Sequence, residues 1–164
     1  ITIESEQGQG TTVRIYLPVS GKKTTFANRT VVQKKLSETG KILVMDDEEI
    51  IRDVAGRMLE MLGFSVTCVK SGEEAIAAYS REIQEGSPFE LVFLDLTVHG
   101  GMGGEKAMNE ILKLNPAAKG IVASGYANSP VLAHPEQYGF ASKIEKPFRK
   151  DELDRVIAEV LKND

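Results

Sequence analysis

The sequence predicts an α/β protein, a doubly wound parallel sheet with helices on both faces, preceded by a β-hairpin and a linker. Three observations predict it. Short continuous apolar runs, such as Ile42-Leu43-Val44-Met45 and Leu91-Val92-Phe93-Leu94, have the length of strands but no alternation, as strands covered on both sides do. Between such runs lie stretches with apolar residues at helical spacing. The strand–helix alternation repeats five times from Lys41 onward, and consecutive units of this kind join parallel strands through right-handed crossovers.

Each element follows from local pattern. Residues 1–18 read as the hairpin: Ile1 and Ile3 begin one strand, Val13, Ile15 and Leu17 share a face of the next, and Gln7-Gly8-Gln9-Gly10 is the turn. A lone hairpin is marginal in water, so this one is expected to lean on a neighbour. Residues 19–40 are polar and basic without sustained periodicity and read as a linker. The first apolar run is followed by a helix carrying Ile50, Ile51, Val54, Met58, Leu59 and Leu62, with Gly63 as its stop. Phe64–Val69 is the second strand. Ser71 and Glu74 form a capping box, and the helix they open carries Ala75, Ile76, Tyr79 and Ile83 until Gly86-Ser87-Pro88 breaks it. The third strand, Leu91–Leu94, ends at Asp95. A glycine-rich loop leads to a helix with Ala107, Met108, Ile111 and Leu112, closed before Pro116. Ile121–Ala123 is the fourth strand, ending at Ser124. Ser129-Pro130 opens a helix that Pro135 cuts short. Phe140–Ile144 is the fifth strand, and Lys146-Pro147 follows. The last helix carries Leu153, Val156, Ile157, Val160 and Leu161, and Asp151 and Glu152 suit its positive N-terminus.

Composition narrows the function. With 164 residues, 41% hydrophobic and 27% charged, the chain has material for one ordinary domain and a tail, which argues against disorder. No apolar run approaches the roughly 18 residues of a membrane span. The single Cys68 cannot form an internal disulfide and fits a reducing compartment, so a cytoplasmic location is expected. The chain starts at Ile1 with no signal-peptide pattern and reads as a piece of a longer protein. Residues 1–40 hold six Lys or Arg against three Glu, whereas residues 41–164 hold 14 basic against 21 acidic. The larger part therefore lacks the electrostatic footprint of a nucleic-acid binder.

In open parallel sheets, sites form at the carboxyl ends of the strands. At those ends stand Asp46 and Asp47, Asp95, Ser124 and Lys146. Taken singly, each has a plain explanation: the acid pair as helix caps, Asp95 as a turn residue, Ser124 as a loop hydroxyl, Lys146 as a surface lysine. Taken together, three crowded carboxylates repel and call for a hard divalent cation, and Mg²⁺ favours such oxygen ligands. A cation and a lysine around one carboxylate can gather the oxygens of a phosphoryl group, and a carboxylate can itself become an aspartyl phosphate.

Residues 41–162 resemble the receiver domain of two-component response regulators. The resemblance rests on Asp46-Asp47, Asp95 after an apolar strand, Ser124, and Lys146-Pro147-Phe148, in family order and at intervals of 48, 29 and 22 residues from Asp47 to Lys146. It implies a flavodoxin-like (βα)5 fold with strand order 2-1-3-4-5. It implies that Asp95 accepts a phosphoryl group from a histidine kinase or a histidine phosphotransfer domain. It further implies that Asp47 and Asp95 bind Mg²⁺ with the main-chain carbonyl of Thr97, that Asp46 helps through water, that Lys146 contacts the phosphoryl group, and that Lys146-Pro147 is cis. The phosphorylated state would then shift a surface linked to Ser124. The segment from Ile3 to Pro18, with Gly8-Gln9-Gly10-Thr11, resembles the closing hairpin of a histidine-kinase ATP-binding domain. The two resemblances together imply a hybrid histidine kinase, a transferase, with residues 1–18 as the kinase remnant, 19–40 as linker and 41–164 as receiver. The fragment itself is expected to have no kinase centre and to catalyse only its own phosphorylation and dephosphorylation.

The chain departs from the family pattern in places. Val98 and His99 stand where many receivers have Met-Pro, and His99 reads as a loop residue without a partner set. Lys143 replaces the usual switch aromatic three residues before the lysine, and Tyr126 reads as an ordinary loop tyrosine. Two other functions fit parts of the pattern. A receiver that only docks partners would keep the fold without the chemistry. A phosphatase with an Asp nucleophile, of the haloacid dehalogenase type, would want a second Asp where Thr97 stands.

Overall fold

A computed structural model describes residues 1–17, 39–125 and 129–162. The expected linker, up to residue 38, and Tyr126 lie outside the described residues. The chain divides into two units, residues 1–34 and 35–164.

The first unit contains an antiparallel hairpin of β1 (Thr2–Glu6) and β2 (Gly10–Arg14), with Ile3 opposite Val13. The Gln9 amide donates to the Glu6 carbonyl across the turn, and Gly8 there takes a φ of 84°, which favours glycine. The second strand ends at Arg14, so Ile15 and Leu17 fall beyond the ladder rather than in it as the alternation suggested. Ile3 and Val13 are exposed.

The second unit is a five-stranded parallel sheet. Its elements are β3 (Thr39–Met45), α1 (Glu49–Met61), β4 (Phe64–Val69), α2 (Gly72–Gln84), β5 (Leu91–Asp95), α3 (Gly104–Leu114), β6 (Gly120–Ser124), α4 (Pro130–Ala133), a 3₁₀ turn over Pro135–Tyr138, β7 (Ser142–Glu145) and α5 (Lys150–Lys162). The spatial order is β4-β3-β5-β6-β7, which is the expected 2-1-3-4-5 pattern, with all pairs parallel. Alternate strand residues feed opposite faces. Leu43, Met45, Val92, Leu94 and Val122 pack with α2, α3 and α4 residues such as Tyr79, Met108 and Leu132. Ile42, Val44, Leu91, Phe93 and Ile121 pack with Leu59 of α1 and Leu153 and Ile157 of α5. This is why the strands read as unbroken apolar runs: every residue of β5 and β6 is buried.

The capping signals act nearly as read. Ser71 Oγ accepts from the Glu74 amide at 3.5 Å, while the Glu74 carboxylate reaches past Ser71 to the Lys70 amide at 3.1 Å. Gly63, with φ 99°, follows the end of α1. Ser129 Oγ accepts from the Val131 amide at the start of α4. The last strand begins two residues later than the apolar run suggested. The Phe140 amide is taken by the Pro135 carbonyl, so the ladder starts only when the Ala141 amide reaches the Gly120 carbonyl. The first strand starts at Thr39, two residues inside the segment read as linker. No helix among the described residues is long and apolar enough to cross a membrane.

Candidate functional site

Parallel strands in register bring distant residues to one rim. β5 ends on Asp95 opposite Ala123, and β6 ends on Ser124 opposite Glu145, one residue before Lys146. Asp46 and Asp47 follow β3 directly. All the expected residues meet there. Asp47, Asp95, Thr97, Ser124 and Lys146 line one open cleft of about 410 Å³, and Asp46 reaches it through Lys146.

Asp46 is buried. Its Oδ1 accepts from the Glu48 amide at 3.0 Å, and its Oδ2 is in very close contact with Lys146 Nζ. The capping explanation of Asp46 does not hold: the N-cap of α1 is Glu48, no side chain caps the helix, and Asp46 Oδ1 meets only the amide of that N-cap residue ahead of the first turn. Lys146 Nζ also lies 2.9 Å from Asp95 Oδ1, so one ammonium bridges two buried carboxylates. Burial pushes the Asp95 carboxyl above its usual range; Lys146 and the Thr97 amide pull it down, and the negative charge of Asp46 adds to the push. Burial by itself would lower the Lys146 ammonium, but its bonds to Asp46 and Asp95 outweigh that and hold it above the ordinary lysine value. Asp46, Asp47 and Asp95 each offer an oxygen, and these atoms lie within 4.8 Å of one another, a donor set suited to a hard divalent cation. Ser124 is buried, whereas Thr97 is exposed and lends its amide to Asp95. The Lys146-Pro147 bond is cis, as the resemblance implied.

The contacts of three residues, His99, Arg52 and Lys143, were not legible in the sequence. Asp47 Oδ2 accepts both the His99 amide at 3.1 Å and His99 Nδ1 at 3.0 Å. Burial would raise the Asp47 carboxyl, but the His99 bonds hold it below its usual range. His99 therefore has a partner, unlike the solitary loop histidine expected; 52 residues separate the two in the chain, and no local pattern links them. Arg52 Nη1 donates to the carbonyls of Asp46 at 2.7 Å and Asp47 at 2.9 Å and so pins the acidic loop from the first turn of α1. Lys143, in the position of the missing aromatic, donates to the Leu132 carbonyl in α4.

Fold and site together define a doubly wound α/β domain with an acidic, lysine-containing cleft at the carboxyl rim of its sheet. A family model described as the response regulator receiver domain matches residues 42–158, and the chain belongs to that family. Sensor kinase CckA of Brucella abortus is 32% identical over 174 residues, which covers 98% of this chain and 18% of that protein. The chain spans less than a third of the length of the curated relatives it matches first. Among solved structures, response regulator TrrA of Thermotoga maritima, in complex with Mg²⁺-BeF, is similar with a TM-score of 0.62 and 28% identity, over 74% of this chain and 98% of that one. The receiver domain of sensor histidine kinase PA1611 of Pseudomonas aeruginosa, with magnesium coordinated in its active-site cleft, has a TM-score of 0.66 at 23% identity, over 76% of this chain and 98% of that one, and supports the fold. Residues 42–158 thus form a receiver domain of the two-component type, a class that accepts phosphoryl groups from histidine kinases or phosphotransfer partners.

Proposed function

We propose that Asp95 is the phosphoacceptor of a phosphorelay and that it takes its phosphoryl group from a phosphohistidine. An Asp95 oxygen attacks phosphorus, the new O–P bond forms as the N–P bond breaks, and the electron pair stays on the leaving imidazole nitrogen. Lys146 is already beside the acceptor oxygen and stays close to pair with the incoming phosphoryl oxygens. Ser124, buried at the end of β6, donates a hydrogen bond to the phosphoryl group, a contact that exists only in the phosphorylated state and so biases the adjoining surface. Mg²⁺ held by Asp47, Asp95 and the Thr97 carbonyl, with Asp46 helping through water, would neutralise the phosphoryl oxygens. The observation that carries this reading is the bridge of one lysine between Asp46 and Asp95 at the mouth of a cleft that Asp47, Thr97 and Ser124 also line.

The wider setting proposed is a hybrid histidine kinase in the cytoplasm. Residues 1–18 would close the kinase ATP-binding domain, 19–40 would link, and 41–164 would be the receiver. The similarity to a sensor kinase across nearly the whole chain, the first residues included, supports this placement. The acidic balance of residues 41–164 disfavours nucleic acid as a partner.

The test is mass spectrometry of the chain after exposure to a small-molecule phosphodonor with Mg²⁺. One acid-labile phosphoryl group is expected on the wild type and none on Asp95→Asn. No adduct on the wild type would leave a docking-only receiver, and steady turnover of small phosphate esters would point to a phosphatase.

A further inference from the structure

His99 is not absorbed by the proposed chemistry, yet it donates twice to the Asp47 carboxylate. Its main-chain amide and its Nδ1 converge on the same oxygen, Oδ2, at 3.1 Å and 3.0 Å. A carboxylate only accepts, so Nδ1 carries the hydrogen in this contact. Two donors on one oxygen stop the carboxylate from rotating. Asp47 keeps the orientation in which it contributes to the three-acid cluster, whose oxygens lie within 4.8 Å of each other. We propose that His99 is a positioning residue for the cation site, a two-point latch that presets the Asp47 carboxylate.

The ring does little else. The His99 side chain is 88% exposed, against 22% for Asp47, so it does not fill the core. The loop that carries it is anchored elsewhere. Both oxygens of Glu73 accept from the Met102 amide, at 3.2 Å and 3.3 Å, and the Met102 carbonyl accepts from the Gly72 amide at 2.9 Å. Removing the ring therefore leaves the loop tied to α2 and the main-chain amide in place, while taking from Asp47 Oδ2 the second of its two donors and with it the restraint on rotation. Partners that orient metal ligands typically change metal affinity by on the order of 10-fold or more when removed.

This inference rests on the cation reading of the acidic cluster, and the experiment separates the two. Mg²⁺ is titrated into the full isotope-labelled chain, with its dissociation constant read from amide shifts and the melting temperature recorded without metal. Four variants are compared with the wild type. His99→Ala is expected to bind Mg²⁺ on the order of 10-fold more weakly at an unchanged melting temperature. His99→Asn, whose side-chain amide sits where Nδ1 sits, is expected to restore binding, and His99→Gln, whose amide sits one bond further out, is not. Asp47→Ala is expected to bind far more weakly than any of them. If Asp47→Ala weakens binding and His99→Ala leaves it unchanged or tightens it, the latch is overturned and the cation site stands. If neither the wild type nor Asp47→Ala responds to Mg²⁺, the cation site itself falls, and the latch with it.

Discussion

Lys146 is the residue on which the site balances, because it is the sole cation seen bridging Asp46 and Asp95 among the described contacts. Lys146→Met leaves two buried carboxylates facing each other. Breaking a buried pair in this way costs about 3 kcal/mol or more. Urea unfolding at neutral pH in the presence of a chelator should show that loss, with part of it recovered on adding Mg²⁺. Asp95→Asn should act in the opposite direction. The folded-state value of Asp95 lies above 3.8, so the folded chain holds a proton that the unfolded chain releases. The stability this contributes is complete below 3.8 and is lost as pH rises through the raised value. Asparagine does not titrate. Without divalent cations, Asp95→Asn should therefore melt above the wild type at neutral pH, and the gap should shrink as the pH falls toward 3.8. A gap that is constant with pH would show that the carboxylate charge is not its source.

At the scale of elements, the site depends on how closely α3 approaches the end of β5. A Cβ on Gly104 would stand 2.6 Å from the Asp95 carbonyl oxygen and 3.0 Å from Leu94 Cβ. Neither neighbour is a flexible side-chain end, so Gly104→Ala should push the helix off the strand, at a cost of about 1–3 kcal/mol. Calorimetric melting measures that cost, and slower phosphoryl uptake would report the displaced Asp95. The short helix α4 poses a different problem. It has only four residues and no basic residue in its last turn. Its Leu132 carbonyl is met instead by the Lys143 ammonium, reaching across from β7. That contact gives a helix C-terminus both a donor and a favourable charge. Lys143→Ala should speed hydrogen exchange in residues 130–134 while leaving Asp95 phosphorylation intact; equal exchange would mean that the proline-bounded turns alone hold the helix.

For the molecule as a whole, stability is shared by two cores on opposite faces of one sheet. Because β5 and β6 contribute to both, neither face can open without exposing strands that the other needs. Leu59 is fully buried between α1 and the sheet. Leu59→Ala should remove about 2–5 kcal/mol, a large share of the roughly 5–15 kcal/mol typical of a domain. Denaturation should remain a single transition for the receiver unit, seen alike by probes on either face.

The sequence by itself determined the five strand–helix units, the parallel sheet, and the identity of the residues at the strand ends. These are readable because they rest on short-range physics: unbroken apolar runs where both faces are covered, helical spacing, and caps such as Ser71 and Ser129. The order of Asp46, Asp47, Asp95, Ser124 and Lys146 along the chain was enough to suggest one rim, since parallel strands must place their carboxyl ends together. Tertiary structure alone decided which charges touch. That Lys146 bridges Asp46 and Asp95, that His99 grips Asp47, that Arg52 holds the carbonyls of the acid pair, and that Lys143 reaches α4 are matters of side-chain direction and loop path between residues far apart in the chain. The late start of β7 was decided in the same way, because one amide of Phe140 was claimed by Pro135 before the ladder could use it. Local pattern carries no information about such competition; only the packed molecule does.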